Sequence, residues 1–115
     1  MLTLYYDTRN RILWKLLSRF YISLDKTTLE KFDYVFKVIR TVDRIPVKFL
    51  KHIEGTDGLY EIRVMVGNNI FRVFCCFDAG RIVILFNGSQ KKSQKTPKKE
   101  INKAIVLKQE YLKNK

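Results

Sequence analysis

Hydrophobic positions recur at two different spacings along the chain, and the change of spacing separates helical from strand segments. Residues 2–6 alternate in the manner of a short strand. Residues 12–21 repeat leucine and phenylalanine every three or four positions, which predicts a helix. A second helix follows, because Thr27 and Glu30 have capping-box spacing and the apolar positions behind them share one face until Pro46.

The second half of the chain has the spacing of strands. Apolar runs at 59–66, 70–77 and 82–87 are separated by the turn signals GNN and DAGR, which predicts an antiparallel meander. A polar, lysine-rich stretch then leads to Thr96 and Pro97, an N-cap and a first-turn proline that open a last helix. The predicted order is β-α-α-β-β-β-α, an α+β fold in a single domain of 115 residues.

The register of the first hairpin decides which side chains share a face of the sheet. If residues 68–69 take the two central turn positions, residue i pairs with residue 137 − i, which leaves one face wholly apolar. Arg63 and Arg72 then lie as diagonal neighbours on the opposite face, which we call the arginine face. A shift by one residue would bury Arg72 among valines at high cost. The second turn places Phe86 on the apolar face and Asn87 on the arginine face.

Positive charge is concentrated in the last third of the chain. The sequence has 23 Lys and Arg against 11 Asp and Glu, a formal net charge of +12, and residues 81–115 hold 10 of the basic but only 2 of the acidic side chains. A polyanion such as nucleic acid is the expected partner, because neutralising phosphates releases counterions. A membrane surface or a merely solvated surface are the alternatives. The 46% of hydrophobic residues excludes a disordered basic tail.

We expect a cytoplasmic protein without a membrane segment. No apolar run approaches the roughly 18 residues that a spanning helix needs, and the N-terminus lacks the order of a signal peptide. Cys75 and Cys76 are neighbours in a strand, where consecutive side chains point to opposite faces, so we expect no disulfide between them and a reducing compartment. With His52 they are too few for a metal site, and we expect no cofactor.

The arginine face combines positive charge with an aromatic ring. We expect a cationic cluster beside Phe74 and Phe71, made of Arg63, Arg72, Lys91 and Lys92. Arginine forks fit phosphate oxygens, and aromatic rings stack on unpaired bases. The alternative is that Arg63 pairs with Glu61 or another acid and simply seals the sheet.

Common catalytic arrangements are missing from the sequence. It has no Ser/His/Asp set, and the second half has almost none of the acids that a metal-dependent nuclease clusters around its ions. An enzyme acting on RNA would therefore work by positioning and charge stabilisation, with the ribose 2′-hydroxyl as the nucleophile.

Three motifs in this order resemble the RelE/HigB toxins of bacterial toxin–antitoxin systems, and most of all their phage-associated HigB-like branch. The motifs are GLYEIRV at 58–64, FRVF at 71–74, and QKKSQKTP at 90–97 followed by a helix. The resemblance runs from about residue 46 to residue 111. It implies a RelE-like fold, an antiparallel sheet with two N-terminal helices on one face and a C-terminal helix.

The resemblance also implies a function. Such toxins are metal-independent endoribonucleases that cleave mRNA, usually on the ribosome, by attack of the 2′-hydroxyl on the neighbouring phosphate to leave a cyclic phosphate. A cognate antitoxin neutralises them, in the HigB branch commonly a helix-turn-helix protein. The expected partners are therefore mRNA, the ribosome and an antitoxin.

Matching positions carry over the functional residues of these toxins. Arg63 would stabilise the phosphorane charge, Arg72 would support the same phosphate, and His52 lies where relatives place basic or proton-transfer residues. The implied catalytic set is completed by Lys91 and Lys92. RNA binding is assigned to Lys48, Lys51, Lys95, Lys98, Lys99 and Phe74.

This chain departs from many relatives at two positions. They have a histidine where it has Asn87, and an aromatic residue where it has Ser89. If that histidine is the acid or base, this protein must use His52 or a lysine, or cleave weakly. Two other functions stay open: a non-enzymatic toxin acting on DNA gyrase, as in the related ParE group, or a member that only binds RNA or its antitoxin.

Overall fold

The computed structural model describes residues 3–6, 11–87 and 95–115. The elements in chain order are β1 (Thr3–Tyr6), α1 (Arg11–Ser23), α2 (Lys26–Thr41), β2 (Leu50–His52), β3 (Tyr60–Val66), β4 (Asn69–Asp78), β5 (Arg81–Asn87) and α3 (Lys98–Asn114). The α+β class is confirmed, and the predicted order is confirmed except for the additional strand β2. Within the described residues, no helix is long and apolar enough to cross a membrane.

The five strands form one sheet in the order β1-β5-β4-β3-β2. β1 runs parallel to β5, and the other neighbours are antiparallel. The apolar face packs against α1 and α2, with Leu17, Phe32 and Ile39 among its buried partners. The arginine face packs against α3 through Ala104 and Tyr111. The sheet is therefore covered on both faces, and each face has its own core.

The predicted register of the β3–β4 hairpin is wrong by two residues. Val66 pairs with Asn69, so the central turn residues are Gly67 and Asn68. Gly67 has a φ of +60°, which a type II′ turn requires at its first central position and which glycine adopts without a steric penalty. Because the side-chain period of a strand is two, this slip exchanges no faces. Arg63 and Arg72 stay on the arginine face, but directly opposite each other instead of diagonally.

A β-bulge corrects the prediction for the end of β5. The turn before β5 forms as predicted, but the register shifts between Phe74 and Cys75. Phe86 consequently pairs with Phe74 on the arginine face, where the two rings stack with their centroids 6.0 Å apart. The backbone of Asn87 pairs with that of Val73, and the bulge reverses the predicted face of Phe86.

Two helices begin at residues other than those predicted. Asp25, not Thr27, caps α2: its Oδ1 accepts a hydrogen bond of 2.8 Å from the backbone N–H of Thr28, and this bond lowers the pKa of the Asp25 carboxyl. Helix α3 begins at Lys98, with Pro97 as an N-cap residue that has no side-chain capping bond. Both differences are small shifts of a boundary.

Cys75 and Cys76 are both buried free thiols, one in each core. Burial raises the pKa of both thiols. As expected for consecutive residues of a strand, the two side chains lie on opposite faces of the sheet.

The C-terminal end of α3 is tied to the β4–β5 turn by a polar cluster. The Tyr111 hydroxyl donates a hydrogen bond of 2.7 Å to Asp78 Oδ2, and Lys115 Nζ donates one of 2.9 Å to Asp78 Oδ1. Arg81 Nη2 donates to the Tyr111 oxygen at 3.2 Å. Burial, followed by the bond to Asp78, raises the pKa of Tyr111 to about 12.

We predict that Tyr111 makes the protein less stable in alkali. A tyrosine in the unfolded chain ionises near pH 10, so the free energy of unfolding should fall as the pH rises from about 10 to about 12, while the folded protein still holds the phenol neutral. Urea unfolding across this range should give a steeper loss for the wild type than for Tyr111→Phe. The exposed Tyr34→Phe is the control, and equal slopes for wild type and Tyr111→Phe would contradict the prediction.

Candidate functional site

A cleft of about 290 Å³ opens between the edge strand β2 and the segment that leads into α3. Ile53 and Ile101 form its apolar walls. Its polar lining consists of Lys51, His52, Glu54, Glu61, Lys95 and Thr96. The cleft therefore brings together residues that are more than forty positions apart in the sequence.

Strand pairing sets the side chains beneath the cleft in two rows on the arginine face. Lys51 pairs with Glu61, which pairs with Phe74. Arg63 and Arg72 form the next pair along the same two central strands. Residues that pair directly or lie two positions apart share a face. The row that contains Glu61 thus lies next to the two arginines.

Glu61 links both arginines to the wall of the cleft. Its Oε1 lies 3.5 Å from Arg63 Nε, and its Oε2 lies 3.8 Å from Arg72 Nε. The same Oε2 accepts a hydrogen bond of 2.7 Å from the Thr96 hydroxyl. The alternative considered from the sequence, an ion pair between Arg63 and Glu61, is therefore present, and Glu61 pairs with Arg72 as well.

The two arginines differ in their exposure. The side chain of Arg72 is 0% exposed, whereas that of Arg63 is 15% exposed. A ligand in the cleft cannot touch Arg72 without opening the sheet. Of the two arginines, only Arg63 has side-chain surface that a ligand could reach.

The expectation that Phe74 stacks on an RNA base is corrected by its burial. Phe74 is 0% exposed and lies in the core under α3, so its ring has no face that a base can reach. Phe86, its stacking partner, is only partly buried, and Lys103 Nζ lies 4.4 Å from the centroid of its ring. The bulge that turns Phe86 to this face gave no signal in the sequence pattern.

His52 lies at the rim of the cleft but does not face the arginines. It follows Lys51 in β2 and so projects from the other face of that strand. Its ring packs edge-on against Tyr60 at 5.2 Å, and Nε2 lies 3.1 Å from the carbonyl oxygen of Thr56. The structure thus brings Lys51 and Arg63 to one face of the sheet and leaves the His52 ring on the other.

Exposed lysines lie in the cleft and in the segments next to it along the chain. One of them is Lys48, two residues before β2, whose Nζ lies 5.0 Å from the centroid of the Phe49 ring. The others are Lys51 and Lys95 in the cleft, and Lys98 and Lys99 in the first turn of α3. Lys91 and Lys92 lie outside the described residues, so their expected roles stay predictions. Within the described part of the chain, no three His, Cys, Asp or Glu side chains are grouped so that they could hold a metal ion.

Residues 20–109 match a protein family described as "Phage derived protein Gp49-like (DUF891)". The match includes α2, all strands that form the cleft, and most of α3. This is a toxin-like family related to the RelE/HigB toxins. No curated protein matches the chain.

We predict that Glu61→Gln destabilises the protein by about 3–5 kcal/mol, because it removes the carboxylate charge that pairs with the buried guanidinium of Arg72. Urea unfolding should show this loss, and a much smaller one for Arg63→Ala, since Arg63 is partly exposed. Adding Arg72→Met to Glu61→Gln should recover a large part of the loss, because the buried charge is then gone. A Glu61→Gln protein as stable as the wild type would contradict this account of the pair.

Proposed function

Since the chain belongs to the Gp49-like family of phage-derived, toxin-like proteins, we propose that it is the toxin of a toxin–antitoxin system and cleaves mRNA on the ribosome. In the reaction the ribose 2′-oxygen forms a bond to the adjacent phosphorus, and the bond from phosphorus to the 5′-oxygen breaks. The 2′-hydroxyl loses its proton, and the leaving 5′-oxygen gains one. The products are a 2′,3′-cyclic phosphate and a 5′-hydroxyl end.

The observation that carries this proposal is the placement of Arg63. Its partly exposed guanidinium lies on the arginine face, one row from the cleft, and its Nε lies near Glu61. We assign Arg63 to the non-bridging oxygens of the scissile phosphate, whose negative charge increases in the transition state. Arg72 lies beside it on β4, fully buried, and adds positive potential in a region of low dielectric.

His52 stays our candidate for proton transfer, because it is the one histidine of the chain and lies at the rim of the cleft. In the neutral ring, an Nε2–H that donates to the Thr56 carbonyl leaves Nδ1 as the nitrogen that accepts a proton. A base must come within about 3 Å of the 2′-hydroxyl, directly or through one water. Bound RNA would therefore have to pass over the edge strand β2 to meet both His52 and Arg63.

The lysines around the cleft supply the affinity for RNA. Lys48, Lys51, Lys95, Lys98 and Lys99 are all exposed. The N-terminus of α3, which has no side-chain cap, adds backbone N–H groups beside Lys98 and Lys99. Such a surface binds phosphates irrespective of base sequence. It suits the RNA-rich surface of a ribosome.

Membership of a toxin-like family implies a cognate antitoxin. We propose that this antitoxin is a helix-turn-helix protein, as the resemblance to the HigB branch implies. A neighbouring reading frame of that kind would support the assignment.

We predict that Arg63→Ala slows mRNA cleavage by on the order of 10²–10³-fold, because the phosphorane loses a charged donor. Primer extension on mRNA from a translating extract measures the rate and maps the cleavage sites. The control is Arg40→Ala, which removes an exposed arginine from α2 on the apolar-face side. Thermal unfolding should show that both variants fold. If Arg63→Ala cleaves at the wild-type rate, the assignment of Arg63 is wrong.

Induction of the protein in cells separates the rival functions, when mRNA cleavage and DNA damage are both measured. His52 and Arg63 lie on opposite faces of the sheet, and this separation makes a toxin that does not cleave RNA the second candidate function. DNA damage after induction, with mRNA intact, would support a toxin acting on DNA gyrase. Binding to RNA without cleavage or DNA damage would support a member that only binds.

We predict that RNA affinity falls steeply with salt, because binding releases counterions from the phosphates. In a plot of log affinity against log salt concentration, Lys51→Ala or Lys98→Ala should each reduce the slope by about one. Lys37→Ala, which removes an exposed lysine of α2, is the control and should keep the wild-type slope. Fluorescence anisotropy with a labelled RNA gives the measurement. A wild-type affinity that is independent of salt would contradict the phosphate-binding surface.

A further inference from the structure

Thr96 does not use its hydroxyl as its sequence context predicts. A threonine directly before a proline at a helix start is well placed to cap that helix. Here Pro97 is the N-cap residue, and α3 has no side-chain cap. The Thr96 hydroxyl instead donates to Glu61, a residue 35 positions away in the sequence. The helix thus gives up a local hydrogen bond for a tertiary one.

This tertiary bond determines the orientation of the Glu61 carboxylate. At 2.7 Å, the contact from Thr96 to Oε2 is shorter than the contacts of 3.5 Å and 3.8 Å between the carboxylate and the two arginines. Because Oε2 is held near Thr96 and Arg72, the other carboxylate oxygen, Oε1, lies next to Arg63. Without the hydroxyl, Glu61 can turn towards Lys51, its neighbour across the strands.

Glu61 lies between the two guanidinium groups and pairs with both. Arg72, which is fully buried, requires a counter-charge in the sheet. The carboxylate oxygen that Thr96 holds is also the one that lies nearer to Arg72 Nε. The other oxygen, Oε1, is the one that lies near Nε of Arg63, the arginine with exposed surface.

We propose that Thr96 is a positioning residue: through Glu61 it orients the Arg63 guanidinium towards the scissile phosphate. This inference rests on the proposed function for the identity of that phosphate. The inference goes beyond the proposed function, because it gives Thr96, in the segment before α3, a role in setting the rate of cleavage. Thr96 acts through Glu61 and not on the reacting atoms.

The substitution Thr96→Val tests the inference, because valine keeps the shape of threonine and removes only the hydroxyl. With toxin in excess over ribosome-bound mRNA, the saturating cleavage rate should fall by on the order of ten- to a hundredfold, the cost of misplacing a charged group by a fraction of an ångström. The toxin concentration at half-saturation should stay within about twofold, since the lysines that bind RNA are unchanged.

Two further variants exclude a merely structural effect. Thr96→Ser keeps the hydroxyl and should retain most of the cleavage rate. Thr27→Val makes the same change at an exposed position of α2, away from the cleft, and should cleave as the wild type does. A Thr96→Val rate equal to that of the wild type would overturn the proposal. So would an equal loss in Thr96→Ser, because the hydroxyl would then not be the cause.

A measurement without RNA distinguishes this proposal from the proposed function. In NMR spectra of the free protein, the Nε–Hε signals of Arg63 and Arg72 report on their contacts with Glu61. Arg63→Lys assigns the Arg63 signal by its loss. Thr96→Val should shift the Arg63 and Arg72 signals or speed their hydrogen exchange, while Thr96→Ser should not. If the wild type cleaves no RNA, the proposed function fails, and these signals still decide whether Thr96 orients Arg63; unchanged signals would overturn the inference.

Discussion

The constraint on which the rest of the structure depends is the burial of Arg72 within a five-stranded sheet. An unpaired guanidinium in this position would cost several kcal/mol, so a carboxylate must come from a neighbouring strand. Glu61 provides this carboxylate. Because Glu61 is itself buried, its oxygens need hydrogen-bond donors, and Thr96 supplies one from outside the sheet. A single buried cation thus determines contacts in β3, β4 and the segment before α3.

The cleft follows from how α3 covers the arginine face. Helix α3 is fixed at its far end by the bond from Tyr111 to Asp78, and along its length by the bond from Lys108 Nζ to the Asp57 carbonyl. Its first helical residue is Lys98, so the sheet around Glu61 is bordered by an extended segment rather than covered by a helix. The cleft consequently lies at the end of this face where α3 begins.

Strand periodicity explains which parts of the fold could be predicted from the sequence. The faces of Arg63 and Arg72 were correct although the register was wrong, because a slip of two residues conserves every face. The error came from placing the turn on the two asparagines, whereas the positive φ falls on Gly67. Strand β2 was missed because three residues are too few to show a period. The bulge at Phe74 inserts one residue into β5, and no pattern of apolar side chains reveals such an insertion.

In the candidate site too, residues placed by the local sequence pattern could be predicted, whereas residues placed by tertiary contacts could not. Alternation within one hairpin suffices to place Arg63 beside Arg72, and the motif order suffices to suggest what a paired arginine does. Burial, by contrast, depends on which helix covers a face, and for this reason Phe74 was expected in contact with RNA although it lies in a core. Thr96 shows this difference most clearly. A threonine before a proline at a helix start indicates an N-cap when only the sequence is considered. Its actual partner is a carboxylate that exists in that place only because Arg72 is buried, so its role follows from the fold and not from its neighbours in the chain.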